Sequence, residues 1–464
     1  MAAPAAAGRV RNPCAHARRS AAFLGAPRRC KHGRVRVLLL AEEANPEWFS
    51  VPLEGWSHGQ AIARRVDAHV VTQVRNREAF VRAGVAAAAF TAIDTEHIER
   101  PLWRLGNLLR GGQGKGWTTL MALKALSYRS FESQVWRRFG PAIRAREFDV
   151  VHRLTPLSPT VPSRLATWCK RAGVPFVLGP LNGGVPWPQG FDGARRRERE
   201  WLSYVRGAYK LLPGYRSTRR DAAALVIGSR DTWQQMPERW RDRCVYVPEN
   251  GVDPARFPLA EALPPRAPGP LRIAFLGRLV PYKGCDMLLA AAAPLVAAGR
   301  ATIDVIGDGP ERAALARQAA ELGIANGVAF AGWVPHQQVG DRLRQADVFG
   351  FPSVREFGGA VALEAMALGV VPVVLDYGGP GELVTPRTGF ALPMARRDGI
   401  VAAFRDVLTK LAAAPEALAP LRAAGRERVR RHFTWDAKAA QMAQVYDWVT
   451  GKAAKPDFGM PLPD

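Results

Sequence analysis

Four residues offer this chain its clearest chemistry: Arg278, Lys283, Glu356 and Glu364. The two carboxylates are separated by seven residues within FPSVREFGGAVALEAMALGVVPVVLDYGGPGELVTPRTG, residues 351–389. A carboxylate on either side of a Gly-Gly loop suits a ligand rich in hydroxyl donors, such as a ribose or a hexose. The N–H groups of Phe357, Gly358 and Gly359 would sit at a helix N-terminus, where anions and hydroxyl-rich ligands are held, and the two glycines let backbone come close to whatever is bound. Arg278 and Lys283 stand in GRLVPYKG, residues 277–284. Two cations there can neutralise a diphosphate, the guanidinium bidentately. Taken on spacing alone, both pairs also fit solvated surface charges. The chain has no Asp-x-Asp, so a metal ion is not the obvious alternative clamp.

These residues need strands and helices to aim them. The apolar letters around residues 347–351 read as a buried strand, residues 359–368 as a short helix stopped by Gly369, and residues 370–375 as the next strand. Glu356 then lies in a loop after a strand and Glu364 on the following helix, at the end of an α/β sheet where ligands bind. Upstream, residues 271–277, 302–306, 328–332 and 348–351 read as strands, and residues 286–298 and 311–322 as helices. Residues 37–40, 68–73, 148–152, 174–178 and 222–229 supply strands to the first half. Strands alternating with helices in both halves predict two doubly wound parallel sheets. The expected organisation is a disordered basic extension over 1–33, a first domain over 34–257 and a Pro- and Ala-rich linker over 258–270. A second domain over 271–432 follows, then a helix over 433–450 crossing back to the first, and a tail over 451–464.

Composition bounds the rest. A chain of 464 residues can bury two full cores, and 48% hydrophobic with 23% charged residues is ordinary for a globular protein. No run approaches the length of a membrane span. Five scattered cysteines predict reduced thiols and no metal site, and the eight histidines include no HExxH. The net charge of +24 stands out. It fits anionic partners, and equally an Ala- and Arg-rich base composition. No zinc finger, helix-turn-helix or aromatic-basic sheet motif points to nucleic acid.

Several segments of the first half border the predicted crevice. Gly55, His58 and Gly59 read as a loop before a helix at 60–65. His152 closes a strand, and Asn182 lies in GPLNGGVPWP, a Gly- and Pro-rich wall. His152 reads equally well as a core residue. Residues 98–146 interleave Trp and Leu with Arg and Lys, the pattern of ordinary domain helices and also of helices lying on anionic membranes. GGQGKGWT at 111–118 imitates a phosphate loop without its Ser or Thr, and IGDGPER at 306–312 lacks the third Gly of a dinucleotide fingerprint.

Pro-Ser, Glu-Phe-Gly, Glu-Ala-Met-Ala-x-Gly and Pro-Val-Val within 352–374 together resemble the donor-site signature of retaining glycosyltransferases of family 4. PENGVD at 248–253 is similar to the family's interdomain turn. The resemblance covers Arg34 to about Val449 and is strongest over 271–390. It implies the GT-B architecture, two Rossmann-like domains facing a central crevice. It also implies a metal-independent enzyme without cofactor, moving a hexose from a nucleotide diphosphate sugar to a glycan or lipid-linked acceptor; the expected location is the cytoplasm, with peripheral contact at the inner face of the cytoplasmic membrane as an open alternative. By that resemblance Arg278 and Lys283 hold the donor diphosphate, Glu356 lies near the sugar, Glu364 binds ribose hydroxyls, and the amides of Phe357 to Gly359 face sugar and phosphates. One departure stands out: His152-Arg153-Leu154-Thr155-Pro156 has Leu154 where many relatives carry a sugar-contacting His. The alternatives are a GT-B epimerase acting on nucleotide sugars and a non-catalytic nucleotide-sugar-binding protein.

Overall fold

The computed structural model describes residues 34–101, 117–183, 185–193, 208–259 and 263–464. The basic extension and the 111–116 part of the phosphate-loop imitation lie outside these residues. Val35–Asp464 form one compact unit. It contains two parallel sheets. The first has seven strands: β1 (Arg36–Ala41), β2 (Asp67–Gln73), β3 (Phe90–Ile93), β4 (Val150–Thr155), β5 (Phe176–Leu181), β6 (Ala224–Ile227) and β7 (Cys244–Tyr246). Their order is 3-2-1-4-5-6-7. The second has six: β8 (Leu271–Leu276), β9 (Ala301–Ile306), β10 (Val328–Gly332), β11 (Val348–Phe351), β12 (Val371–Leu375) and β13 (Phe390–Leu392), in the order 10-9-8-11-12-13. Such strands are covered on both faces, which is why RVLLLA, VVHRLT and VPVVL are buried almost throughout.

The strand order of each sheet reverses once, between β1 and β4 and between β8 and β11. At that switch point the loops leaving two neighbouring strands diverge and open a crevice at the strands' carboxyl ends. The carboxyl ends of β8 and β11 carry GRLVPYKG and SVREFGG. The sequence therefore sends its two chemistry-bearing loops to the same place.

The helix Trp435–Val449 ties the C-terminal segment to the first sheet. Thr434 caps it with its side-chain oxygen, accepting from the Ala437 N–H at 3.1 Å. Arg65 meets Asp436 at 2.8 Å, and the Tyr446 hydroxyl lies 2.7 Å from Nδ1 of His152 on β4. Fully buried Lys438 donates to the Pro248 carbonyl at 2.7 Å and so fixes the 248–253 turn from below. Further bonds join the two halves. Arg230 donates its backbone N–H to Glu382 and a guanidinium N–H to Asp376, each at 2.8 Å. The Tyr377 hydroxyl donates to the Pro186 carbonyl at 2.7 Å.

Two expectations about the first half are corrected here. The first helix spans Val51–Arg65, so Gly55, His58 and Gly59 are helical rather than in a loop. Gly59 faces Leu39 and Leu154 in the core, away from the crevice. Second, β4 continues to Thr155, which puts His152 inside the strand instead of at its end. Its ring is buried, with Nε2 2.6 Å from the Gly179 carbonyl, and burial holds its pKa down at about 4. His152 is thus a neutral core histidine pinning β5 and the C-terminal helix to β4. Leu154 is also core, at 1% exposure.

Candidate active site

The crevice site is built on three loops. After β8, Gly277 leads into a short 3-10 turn, Pro281–Lys283, and Gly284 starts the helix Cys285–Ala297. The backbone over 277–279 is held by the neighbouring 307–311 segment: Leu279 donates to Asp308 at 2.9 Å and accepts from Glu311 at 3.1 Å. A side chain at Gly307 would put its β-carbon 2.0 Å from the Gly277 carbonyl oxygen, so that Gly serves backbone packing here. This accounts for the incomplete dinucleotide fingerprint: its glycines position the Arg278 loop.

The second loop, 352–359, leaves β11 and enters the helix Ala360–Ala367. Here the Lys283 ammonium donates to the Glu356 carboxylate, and both side chains are largely buried. The ammonium also lies 5.1 Å from the Phe351 ring centroid. Arg278 is exposed and makes no ion pair among the described residues. The N–H groups of Gly358 and Gly359 have no backbone acceptor among the described residues, at the start of a helix with no side-chain cap. Gly358 itself is filled from the protein side: a β-carbon there would stand 1.9 Å from Nδ2 of Asn250 and 2.6 Å from Oε1 of Glu249. The expectation that both glycines exist to admit a ligand is therefore corrected for Gly358, where the close approach is to the 249–250 turn.

That turn is the third loop, and Glu249 on it is a site residue that sequence reasoning missed. It is 6% exposed, and its Oε1 accepts from Nδ2 of Asn182 at 2.8 Å, which places Asn182 at the junction of the halves. Burial, then repulsion from Glu54, raises the Glu249 pKa well above the carboxylate range. Glu54, in the first turn of the Val51–Arg65 helix, is raised to about 7 by burial and by Glu356. Glu364 is likewise raised to about 7 by burial, against the pull of Arg256. A cavity of about 280 Å³ joins these parts: Glu54 and Phe49 line it from the first half, Arg256 from the turn's continuation, and Gly277, Ala360 and Glu364 from the second. The arrangement offers cations for phosphate, carboxylates for hydroxyls and unbonded N–H groups between them.

Among the described residues no helix is long and apolar enough to cross a membrane.

Comparison with known proteins bears on the family and the fold. The family of glycosyl transferases group 1 matches residues 264–428. A GDP-mannose-dependent alpha-(1-6)-phosphatidylinositol monomannoside mannosyltransferase of Mycolicibacterium smegmatis is 30% identical over 336 residues, 64% of this chain and 84% of that protein. A glycogen synthase of Mycobacterium tuberculosis is 34% identical over 44% of this chain, and the match spans only 48% of the relative's own length. The solved structure of HepE from Anabaena in complex with UDP and glucose superposes with a TM-score of 0.54 at 17% identity, over 88% of this chain and 98% of that one. The likeness in structure extends over both sheets, and the fold is GT-B. With the matched family profile and the long match to the mannosyltransferase, the chain belongs to the group 1 glycosyl transferases.

Proposed function

We propose that this chain moves a hexose from a nucleotide diphosphate sugar to a hydroxyl of a glycan or lipid-linked acceptor, with retention at the anomeric carbon and without a metal ion. The observation that supports it best is the Lys283–Glu356 pair at the switch point of the second sheet. One member can follow the donor's phosphate and the other its sugar. In this reading the donor diphosphate lies against Arg278, Lys283 and the N–H groups of Gly358 and Gly359. The ribose hydroxyls donate to Glu364. As the bond from the anomeric carbon to the phosphate oxygen breaks, its electron pair passes to that oxygen. The cations and N–H groups stabilise the growing charge more than the ground state. The acceptor oxygen adds to the face the phosphate leaves, and its proton passes to the departing phosphate. Glu356 stabilises positive charge on the sugar.

The reading extends to cell-surface polysaccharide or glycolipid synthesis, at the inner face of the cytoplasmic membrane. Its support is the net charge of +24, which favours anionic surfaces. The test is incubation with a panel of nucleotide sugars, GDP-mannose and UDP-glucose included, in the presence of EDTA, with the product's anomeric configuration read by NMR. Transfer with retention is expected. Inversion, or activity lost in EDTA and restored by magnesium or manganese, contradicts it. Isomerised sugar nucleotide with no acceptor added identifies an epimerase instead.

A further inference from the structure

Arg256 follows the PENGVD turn and packs beside Phe257, its guanidinium 5.5 Å from that ring. Its Nη2 is buried and has no hydrogen-bond partner among the described residues. The same cavity holds Glu364, whose carboxylate makes no hydrogen bond among the described residues. The two opposite charges thus share one wall-to-wall space without closing on each other in an ion pair. A buried guanidinium N–H left unbonded is costly, and Arg256 lines the cavity where an acceptor could meet it.

The chemistry of the pair defines that acceptor. A carboxylate only accepts hydrogen bonds and a guanidinium only donates them. A hydroxyl does both: its hydrogen can go to Glu364 while its oxygen accepts from Arg256. A vicinal diol on a pentose ring satisfies the two residues together, and neither a phosphate nor a hydrocarbon does. The apolar side chains of Phe49, Leu53 and Val361 complete the cavity and suit the faces of such a ring. Resting on the donor reading above, we propose that Arg256 is a specificity-determining residue that reads the ribose hydroxyls together with Glu364 and so makes the site select ribonucleotides over 2′-deoxyribonucleotides. Burial raises the Glu364 pKa to about 7, and the nearby Arg256 charge favours the ionised form that accepts from the diol.

The test is calorimetric, on the full chain, with UDP, GDP and ADP and with the 2′-deoxy form of whichever binds. Wild type should prefer the ribonucleotide by about tenfold or more, the effect of one charge-assisted hydrogen bond. In Arg256→Met, which keeps the length but not the donors, binding of the ribonucleotide should weaken about tenfold while the 2′-deoxy form changes little, so the preference collapses. Arg256→Lys keeps the charge and should retain part of the preference; it also serves if the Met variant does not fold, as a melting curve will show. A preference unchanged in both variants, or equal weakening of both nucleotides, overturns the role of Arg256. If wild type binds no nucleoside diphosphate, it is the donor reading itself that fails.

Discussion

The Lys283 ammonium donates to the Glu356 carboxylate across 73 positions of chain. These two charges therefore neutralise each other, and under the proposed function a diphosphate would compete with Glu356 for Lys283. Arg278, exposed and unpaired among the described residues, faces no such competition.

This difference separates two substitutions. Lys283→Ala should lower both turnover and donor affinity, each by about one to two decades, because a charge-assisted bond is worth roughly 1.5–3 kcal/mol. It should also lower the melting temperature, since Glu356 is left largely buried without its cation. Arg278→Ala should cost similarly in binding while leaving the melting temperature unchanged. Initial rates, calorimetry with the nucleoside diphosphate and thermal denaturation check all three effects. Equal melting shifts in both variants would count against the asymmetry.

Gly358 and Asn250 make a second prediction. A methyl group at 358 overlaps Nδ2 of Asn250, so Gly358→Ala must push the 352–359 loop away from the 249–250 turn. Overpacking of this kind costs about 1–3 kcal/mol, and turnover should fall with it. Adding Asn250→Gly should recover much of both losses. A double variant no better than the single one would show that the contact is not what fixes the loop.

Much of this candidate site is legible in the sequence. Arg278, Lys283, Glu356 and Glu364 announce themselves because glycines punctuate two loops that each follow an apolar run, and strand ends of one sheet converge at its switch point. What failed was local. Gly55 and Gly59 argue for a loop by propensity, yet the helix starts at Val51, with Pro52 and Glu54 in its first turn as overlooked start signals. Tertiary packing against β1 and β4 overrides the glycine propensity. His152 reads as a strand end from the apolar run 148–151 alone, whereas β4 carries on through Arg153, Leu154 and Thr155. Glu249, Asn250 and Arg256 were invisible as site residues: nothing local distinguishes a buried polar group of a turn from a solvated one. Only the docking of the two halves buries them.

Glu249 yields a pH prediction. Its folded pKa is raised above the ordinary 4.5, so over that interval the folded state holds a proton the unfolded chain has lost. Stability from this group is then full below about pH 4.5 and is lost as pH rises, by about 1.4 kcal/mol per pH unit, until the folded pKa is reached. The buried histidines, with lowered pKa values, act in the opposite direction below about pH 6.5, so the informative quantity is a difference. Glu249→Gln should gain on wild type as pH rises from 5 to 8, read by urea unfolding at each pH. A constant difference would mean that Glu249 is ionised in the folded protein.

The basic surface makes a fourth. With a net charge of +24, the chain should sediment with vesicles containing anionic lipid and be released by salt, since exposed charges are screened over about 10 Å at 0.1 M. Equal binding to neutral and anionic vesicles would remove the electrostatic part of the membrane reading.

The central claim is that the two glutamates of the 351–389 stretch divide the donor between them, Glu356 serving the reacting sugar and Glu364 the ribose. The direct measurement is turnover of the accepted nucleotide sugar beside calorimetric affinity for its nucleoside diphosphate, in Glu356→Gln and Glu364→Ala. The account predicts that Glu356→Gln cuts turnover with nucleotide affinity nearly intact, and that Glu364→Ala chiefly raises the dissociation constant, by about one to two decades. Full turnover in Glu356→Gln, together with Glu364→Ala abolishing turnover at unchanged affinity, would contradict it and reverse the two roles.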